Sequence, residues 1–389
     1  MLKGQNIICF GSENWEYLGF QQKVMRLLSR HNRILYVNAL GIRKVSFQLS
    51  QFTHYFRRFL RIFKREQGNS EDVAVCSAWI IPLVYSATIA KLNRILIRMQ
   101  FSRLLRKHNF NDYILWIGTP SAAFLLKEFK PRLLVYNPVD RYYAFPFVDG
   151  AKLRNYEKQI AINSDVIVCT SEAIRNDLLP YNDYIFTVTH GVDFKHFNSA
   201  LSANSVPEDI KDISKPIIGY FGALYHRVNY DLLYKIAIRY PTASLVLIGY
   251  KAWDLNQLEK LHNVHILGFK DFNVLPLYLN HFTVCIIPYH VNNLTEGVDP
   301  IKLREYLCLG KPVVSVDLPE VKKLNDLIYL SENDEDYVAM VGKAIKEKNK
   351  ALIEKRIDEA RQSDWSLKIE EISKVIIAPF SRRSGGHRT

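Results

Sequence analysis

The sequence predicts an α/β protein built from two doubly wound, parallel-sheet halves. Three observations carry this reading. Short apolar runs recur along the chain and are continuous rather than alternating, as expected of strands covered on both faces. Helical stretches lie between them. A polar segment, SALSANSVPEDIKD at residues 199–212, separates one such series from a second. With 389 residues and 48% hydrophobic content, the chain is long enough for two domains with proper cores.

Residues 5–11 give the first apolar run, ending at Gly11, and a polar loop with Trp15 follows. A helical pattern then spans residues 21–30, before the strand-like ILYVN from Ile34. This β–loop–α–β opening is the usual start of a doubly wound sheet. It also reads as a first strand rather than a signal peptide, being too short and too soon polar for one. ILWIG from Ile114, LLVYN from Leu133 and VIVCT from Val166 continue the parallel strands. After the polar segment, strands begin near Ile217, Ser244, Val264, Val284 and Val313. From about Asp334 the chain reads as helical and charged, and the tail SRRSGGHRT as disordered. The expected organisation is a first domain over 1–200, a second over 201–370 and a tail over 371–389. A cleft between the halves would follow, with ligands at the carboxyl ends of the strands.

Charge is unevenly placed. Residues 1–110 hold 18 basic and 5 acidic side chains, which accounts for the whole net charge of +13. A basic front end on a neutral body implies an anionic partner for that end. Within residues 41–66, Phe52, Tyr55, Phe56, Phe59 and Phe63 recur at three- and four-residue spacing, with Arg57, Arg58, Arg61, Lys64 and Arg65 between them. That is the pattern of a helix lying in a membrane interface, and residues 91–107 repeat it. The alternative is an apolar face packed on the first domain with solvated charges. No nucleic-acid-binding motif accompanies the basic residues. No run of 18 uncharged apolar residues marks a membrane-spanning helix. The five cysteines show no metal-ligand spacing and read as reduced packing residues.

Residues 296–320, EGVDPIKLREYLCLGKPVVSVDLPE, concentrate the chemistry. Asp299 suits an N-cap and Pro300 the first helical position, while Gly310 suits a helix stop before the apolar run from Val313. Lys302 adds a cation in the first turn, and Glu305 shares its face three residues on. An anion site with a carboxylate one turn deeper meets the needs of a nucleotide-sugar. A capped surface helix carrying a Lys–Glu pair meets the same pattern.

This segment resembles the donor-site motif D-P-x-K-x-x-E-Y-L-A-x-G-K-P-V-V of GT-B glycosyltransferases, close to family 4 and to the xanthan glucuronosyltransferase-like and teichuronic-acid enzymes. GYFGALYHRVNYDLL from Gly219, SLVLIGY from Ser244, NVHILGF from Asn263 and FTVCIIPY from Phe282 resemble the strands of such C-terminal domains. VTHGVDFKHF from Val188 resembles their N-G-V-D-x-x-x-F signature, with His190 in place of Asn. The likeness covers most of residues 110–320. It implies the GT-B fold, two Rossmann-like domains facing each other across a cleft, and transfer of a sugar from a nucleotide-sugar such as a UDP-sugar.

The resemblance also implies roles. Glu305 would hold ribose hydroxyls, Lys302 the phosphates, and Asp299 the donor sugar. Gly222, His226 and Arg227 would stand beside the diphosphate, and Gly249, Gly268 and Phe269 around the nucleotide, with Phe269 near the base. The retaining pattern E-x7-E is broken, because Gly297 stands eight residues before Glu305 and Glu296 is one position early. An inverting enzyme needs a base on the acceptor side. Asp140 is the expected base, with Asp149 and Glu13 as lesser candidates, and Gly11, Trp15 and Arg141 are expected to line the acceptor groove. No Cys/His cluster or D-x-D pair suggests a metal, and no cofactor is expected beyond the donor substrate. The expected partners are a lipid-linked or surface-glycan acceptor and an anionic membrane, through Phe52, Phe56, Arg57, Arg58, Phe59 and Arg61. The expected location is the cytoplasmic face of the cell membrane. Two alternatives are a nucleotide-sugar epimerase of the same fold and a non-catalytic membrane-surface protein with a degenerate donor site.

Overall fold

The computed structural model describes residues 1–17, 19–40, 73–81, 87–107 and 109–383. The chain divides into two compact units, Met1–Thr189 with Ile369–Thr389, and His190–Lys368. The first holds β1 (Asn6–Phe10), β2 (Arg33–Val37), β3 (Val73–Cys76), β4 (Ile114–Ile117), β5 (Leu133–Tyr136), β6 (Val166–Cys169) and β7 (Ile185–Thr187). These pair as one parallel sheet in the order β3-β2-β1-β4-β5-β6-β7. The second holds β8 (Ile217–Phe221), β9 (Ser244–Ile248), β10 (Val264–Gly268), β11 (Val284–Ile287), β12 (Val313–Val316) and β13 (Tyr329–Ser331). Their parallel order is β10-β9-β8-β11-β12-β13.

Each sheet follows from continuous apolar strands. All four residues of β4, β5, β6, β11 and β12 are buried, so both faces must be covered. Three strands were not read from sequence. β3, β7 and β13 are short edge strands, too brief for a period to show and only partly buried. The polar segment at 199–212 is no free tether, since Ala200 and Ile210 lie in the second core. Asp209 fixes it, accepting from the Tyr278 hydroxyl at 2.7 Å and pairing with Lys270. The last helix, Trp365–Arg383, runs into the tail expected to be disordered.

Both sheets reverse strand order once. The reversal lies between β1 and β4 in the first unit and between β8 and β11 in the second. The carboxyl ends of strands at such a point leave a crevice that no crossover helix covers. Gly11 and Trp15 follow β1, Gly222 follows β8, and Lys302 and Glu305 lie on the helix after β11, all strands of these two reversals. Among the described residues no helix is long and apolar enough to cross a membrane.

Candidate active site

In the second unit the loop after β8 is pinned on two sides. Leu224 exchanges backbone hydrogen bonds with Tyr250 and Ala252, both 3.0 Å. Val228 bridges to Tyr289, and the His290 N–H donates to the Arg227 carbonyl at 2.9 Å. Gly222 and Gly249 have φ of +138° and +154°, a region that L side chains rarely adopt, and a Cβ on Gly249 would strike the Gly222 carbonyl. A Cβ on Gly222 would lie 3.2 Å from Lys302 Nζ, so the loop backbone passes against that ammonium.

Lys302 belongs to the helix Ile301–Leu307. Its ammonium donates to the Tyr289 hydroxyl and lies 4.9 Å from the Tyr289 ring centroid and 5.2 Å from that of Tyr220. Both rings are buried. Among the described residues no carboxylate forms an ion pair with Lys302. Aromatic faces attract a cation without cancelling its charge. The field is felt by the phenol. Burial resists ionisation of Tyr289, but Lys302 and then Arg227 outweigh it and bring its pKa below the ordinary phenol value. Glu305 lies one turn on from Lys302 and is 7% exposed. His226 packs edge-on to Tyr225, with ring centroids 4.7 Å apart. Gly268 closes β10, and Phe269 beside it is 73% exposed.

Asp299 corrects the sequence reading. Pro300 holds the N-cap position and no side chain caps the helix. The Asp299 carboxylate turns inward instead. Arg304 Nη1 donates to Oδ1 at 2.6 Å, and the His190 N–H donates to Oδ2 at 2.7 Å, with the His190 ring Nδ1 at 3.2 Å. Burial penalises the charge, but Arg304 and His190 more than offset it and hold this carboxyl far below the usual range. Arg304 was missed from sequence. Its only signal was position, five residues past Asp299 and on the inner side of the helix.

In the first unit Asp140 follows β5 and is partly exposed. Its carbonyl accepts from the Tyr142 N–H at 2.9 Å. Burial, then the charge of Asp140, raises the Tyr142 phenol pKa, and that hydroxyl donates to the Gly118 carbonyl at 2.9 Å. The strand ends around Asp140 are laced by Gln21, a second residue missed from sequence. Its amide donates to the carbonyls of Gly118 and Asn137 at 3.1 and 3.0 Å, and its oxygen accepts from the Ser12 N–H at 2.8 Å. One buried amide thus ties the exits of β1, β4 and β5.

The other acceptor-side candidates all have partners within the first unit. Gly11 closes β1 and donates to the Val37 carbonyl at 3.0 Å. Trp15 is buried, packs on Tyr36 at 4.9 Å and carries Arg26 over its ring at 4.5 Å. Arg141 grips Asp177 with Nε at 2.8 Å and Nη2 at 3.1 Å. Asp149 caps the helix Gly150–Asn163 by accepting from the Lys152 N–H at 3.2 Å. Glu296 is exposed and Gly297 buried in a short turn before Val298. Phe52, Phe56, Arg57, Arg58, Phe59 and Arg61 lie outside the described residues. No group of three or more His, Cys, Asp or Glu side chains suited to a metal occurs among the described residues.

Residues 215–347, which carry the Gly222 loop, Lys302 and Glu305, match the glycosyl transferases group 1 family. The chain carries a group 1 glycosyltransferase domain. A relative, "Putative teichuronic acid biosynthesis glycosyltransferase TuaH" of Bacillus subtilis (strain 168), is 25% identical over 284 residues, 67% of this chain and 70% of that one. Among solved structures, α,α-trehalose 6-phosphate synthase from Burkholderia multivorans superposes with a TM-score of 0.70 at 11% identity, over 98% of this chain and 100% of that chain. Anabaena Alr3699/HepE, solved in complex with UDP-glucose, superposes with a TM-score of 0.64 at 14% identity, over 97% and 99%. The fold is GT-B. The chain is a glycosyltransferase resembling the teichuronic-acid type.

Proposed function

We propose that the protein transfers a sugar from a UDP-sugar to a lipid-linked or surface-polysaccharide acceptor at a membrane surface, with inversion and without a divalent metal. One observation carries the donor half of this reading: the Lys302 ammonium is held by two aromatic rings, with no ion-paired carboxylate among the described residues, against a glycine loop at the strand-order reversal. A fixed, uncancelled cation beside close-approaching backbone suits a diphosphate. Glu305, one turn deeper, accepts ribose hydroxyls. HepE, of the same fold, binds UDP-glucose, which favours uridine as the nucleoside.

In the reaction the acceptor hydroxyl oxygen bonds to the anomeric carbon while the bond from that carbon to the diphosphate oxygen breaks. Asp140 takes the hydroxyl proton. The departing diphosphate carries the electron pair and is stabilised by Lys302 and Arg227. Attack opposite the leaving group inverts the anomeric centre, which agrees with Gly297 standing where the retaining pattern has Glu.

Calorimetric titration with UDP tests the donor site. Glu305→Ala leaves two ribose hydroxyls without a partner and weakens binding by about 1–3 kcal/mol. Lys302→Ala weakens it at least as much, because its partner is charged. UDP affinity unchanged in both variants would refute the assignment.

A further inference from the structure

We infer that the helix Ala87–Lys107 presents a ready-made docking face for an anionic lipid surface. The inference deepens the membrane side of the function proposed above and places it on a segment distinct from residues 41–66.

The helix contains six basic residues and no acidic one. Its inner side is anchored. Ile97 and Phe101 are buried in the first core, near Phe10 and Phe129. Asn93 is fully buried and clamps Ile81, accepting from its N–H at 2.7 Å and donating to its carbonyl at 2.9 Å. Gln100 clamps Trp79 in the same way, both bonds 2.9 Å. Arg94 is neutralised by Glu128 at 2.6 Å.

The outer side is the reverse. Leu92, Ile95 and Met99 stand at i, i+3 and i+7 and are 45%, 57% and 58% exposed. Lys91, Arg98, Arg103 and Arg106 are exposed on the same side. Trp79, fixed beside the helix by Gln100, is 40% exposed. Three exposed aliphatic side chains, an indole at their edge and a surround of cations with no acid on the helix form the composition of an interfacial element. The indole body suits the headgroup boundary. Charge complementarity selects an anionic bilayer, and the apolar stripe is what a purely electrostatic partner would leave unused. The two amide clamps fix the face beforehand, so little ordering entropy opposes docking.

The test is co-sedimentation of the full chain with vesicles of phosphatidylglycerol and phosphatidylcholine, against phosphatidylcholine alone, in about 0.15 M salt. Wild type should pellet with the acidic vesicles. Arg98→Gln with Arg103→Gln and Arg106→Gln should lower the partition about fivefold per charge, roughly a hundredfold in all. Leu92→Ser with Ile95→Ser and Met99→Ser should lower it at least as clearly while keeping every charge. A blue shift of tryptophan emission on vesicle binding should shrink in Trp79→Phe. All six positions in the triple variants are exposed, and an unchanged thermal midpoint checks the fold. Three results would overturn the inference: no acidic-vesicle binding by wild type, equal binding by the Ser variant, or binding of single-stranded RNA in place of vesicles. UDP binding, titrated in parallel, separates this outcome from failure of the donor site.

Discussion

Asp299 and Arg304 form an ion pair of 2.6 Å, with side chains 1% and 8% exposed, at the start of the helix that carries Lys302 and Glu305. The carboxylate also holds the backbone and ring of His190, so it locks the helix to the segment that opens the second unit. Removing one member of such a pair strands a buried charge. Asp299→Ala should therefore cost about 3–5 kcal/mol of stability in denaturant unfolding. Asp317→Ala, which breaks the exposed pair with Lys322, should cost under about 1 kcal/mol. Equal costs would refute this structural role, and loss of UDP binding in Asp299→Ala with no loss of stability would favour a donor-contacting one.

Asp140→Asn should keep UDP binding and lose transfer by about 10²–10⁴-fold, since it conserves shape and removes the base. The product sugar should carry the opposite anomeric configuration to the donor, read from NMR coupling constants. Near-normal turnover by the variant, or a retained configuration, would remove Asp140 from the mechanism and bring Glu296 forward for testing.

Transfer should persist in EDTA. Lys302 and Arg227 provide fixed positive charge for the leaving diphosphate. Activity abolished by the chelator and restored by Mg2+ or Mn2+ would contradict this.

Glu157 predicts an unusual pH profile. It is buried and accepts from the Tyr136 hydroxyl at 2.7 Å. Burial, with a further contribution from Asp177 and against that hydrogen bond, raises its pKa from 4.5 to about 7. The folded state thus binds more protons than the unfolded chain between these values. Its contribution to stability is fully present below the unfolded pKa and is lost as pH rises toward 7, at up to about 1.4 kcal/mol per pH unit. Glu157→Gln should flatten the thermal midpoint between pH 5 and 7 compared with wild type. A wild-type midpoint that rises through that interval, with the same slope in the variant, would rule out this group as the cause.

The fold was legible where burial on both faces wrote itself as continuous apolar sequence. ILWI, LLVY and VVSV each became a fully buried strand. The edge strands β3, β7 and β13 were not legible, because three or four half-covered residues carry no period. Lys302 and Glu305 were legible because chemistry and helix spacing coincide in one short motif. The partners that aim them were hidden. Tyr220 meets Lys302 from β8, about eighty residues back in sequence, and in the first unit Gln21 meets Gly118 and Asn137 across about a hundred. Such contacts are made by topology, and no local pattern announces them. Asp299 misled for a related reason: Asp before Pro is a good cap locally, but a buried Arg five residues on competes for the same carboxylate and wins.

Arg356 is fully buried and bound to Glu347 through two contacts, Nη1–Oε1 at 2.5 Å and Nη2–Oε2 at 2.8 Å. It also reaches the carbonyl of Gly310, just past the end of the helix bearing Lys302, at 3.3 Å. Glu347 is the last residue of the span that the family match covers. Its counter-ion stands nine positions beyond. A fragment trimmed to that span would therefore keep every residue assigned to the nucleotide yet abandon a carboxylate in the interior, together with the brace under Gly310. The span that matches the family and the span that a self-sufficient fold needs differ here by at least the nine residues to Arg356, and any excised version of this domain should be cut beyond the helix Lys350–Gln362.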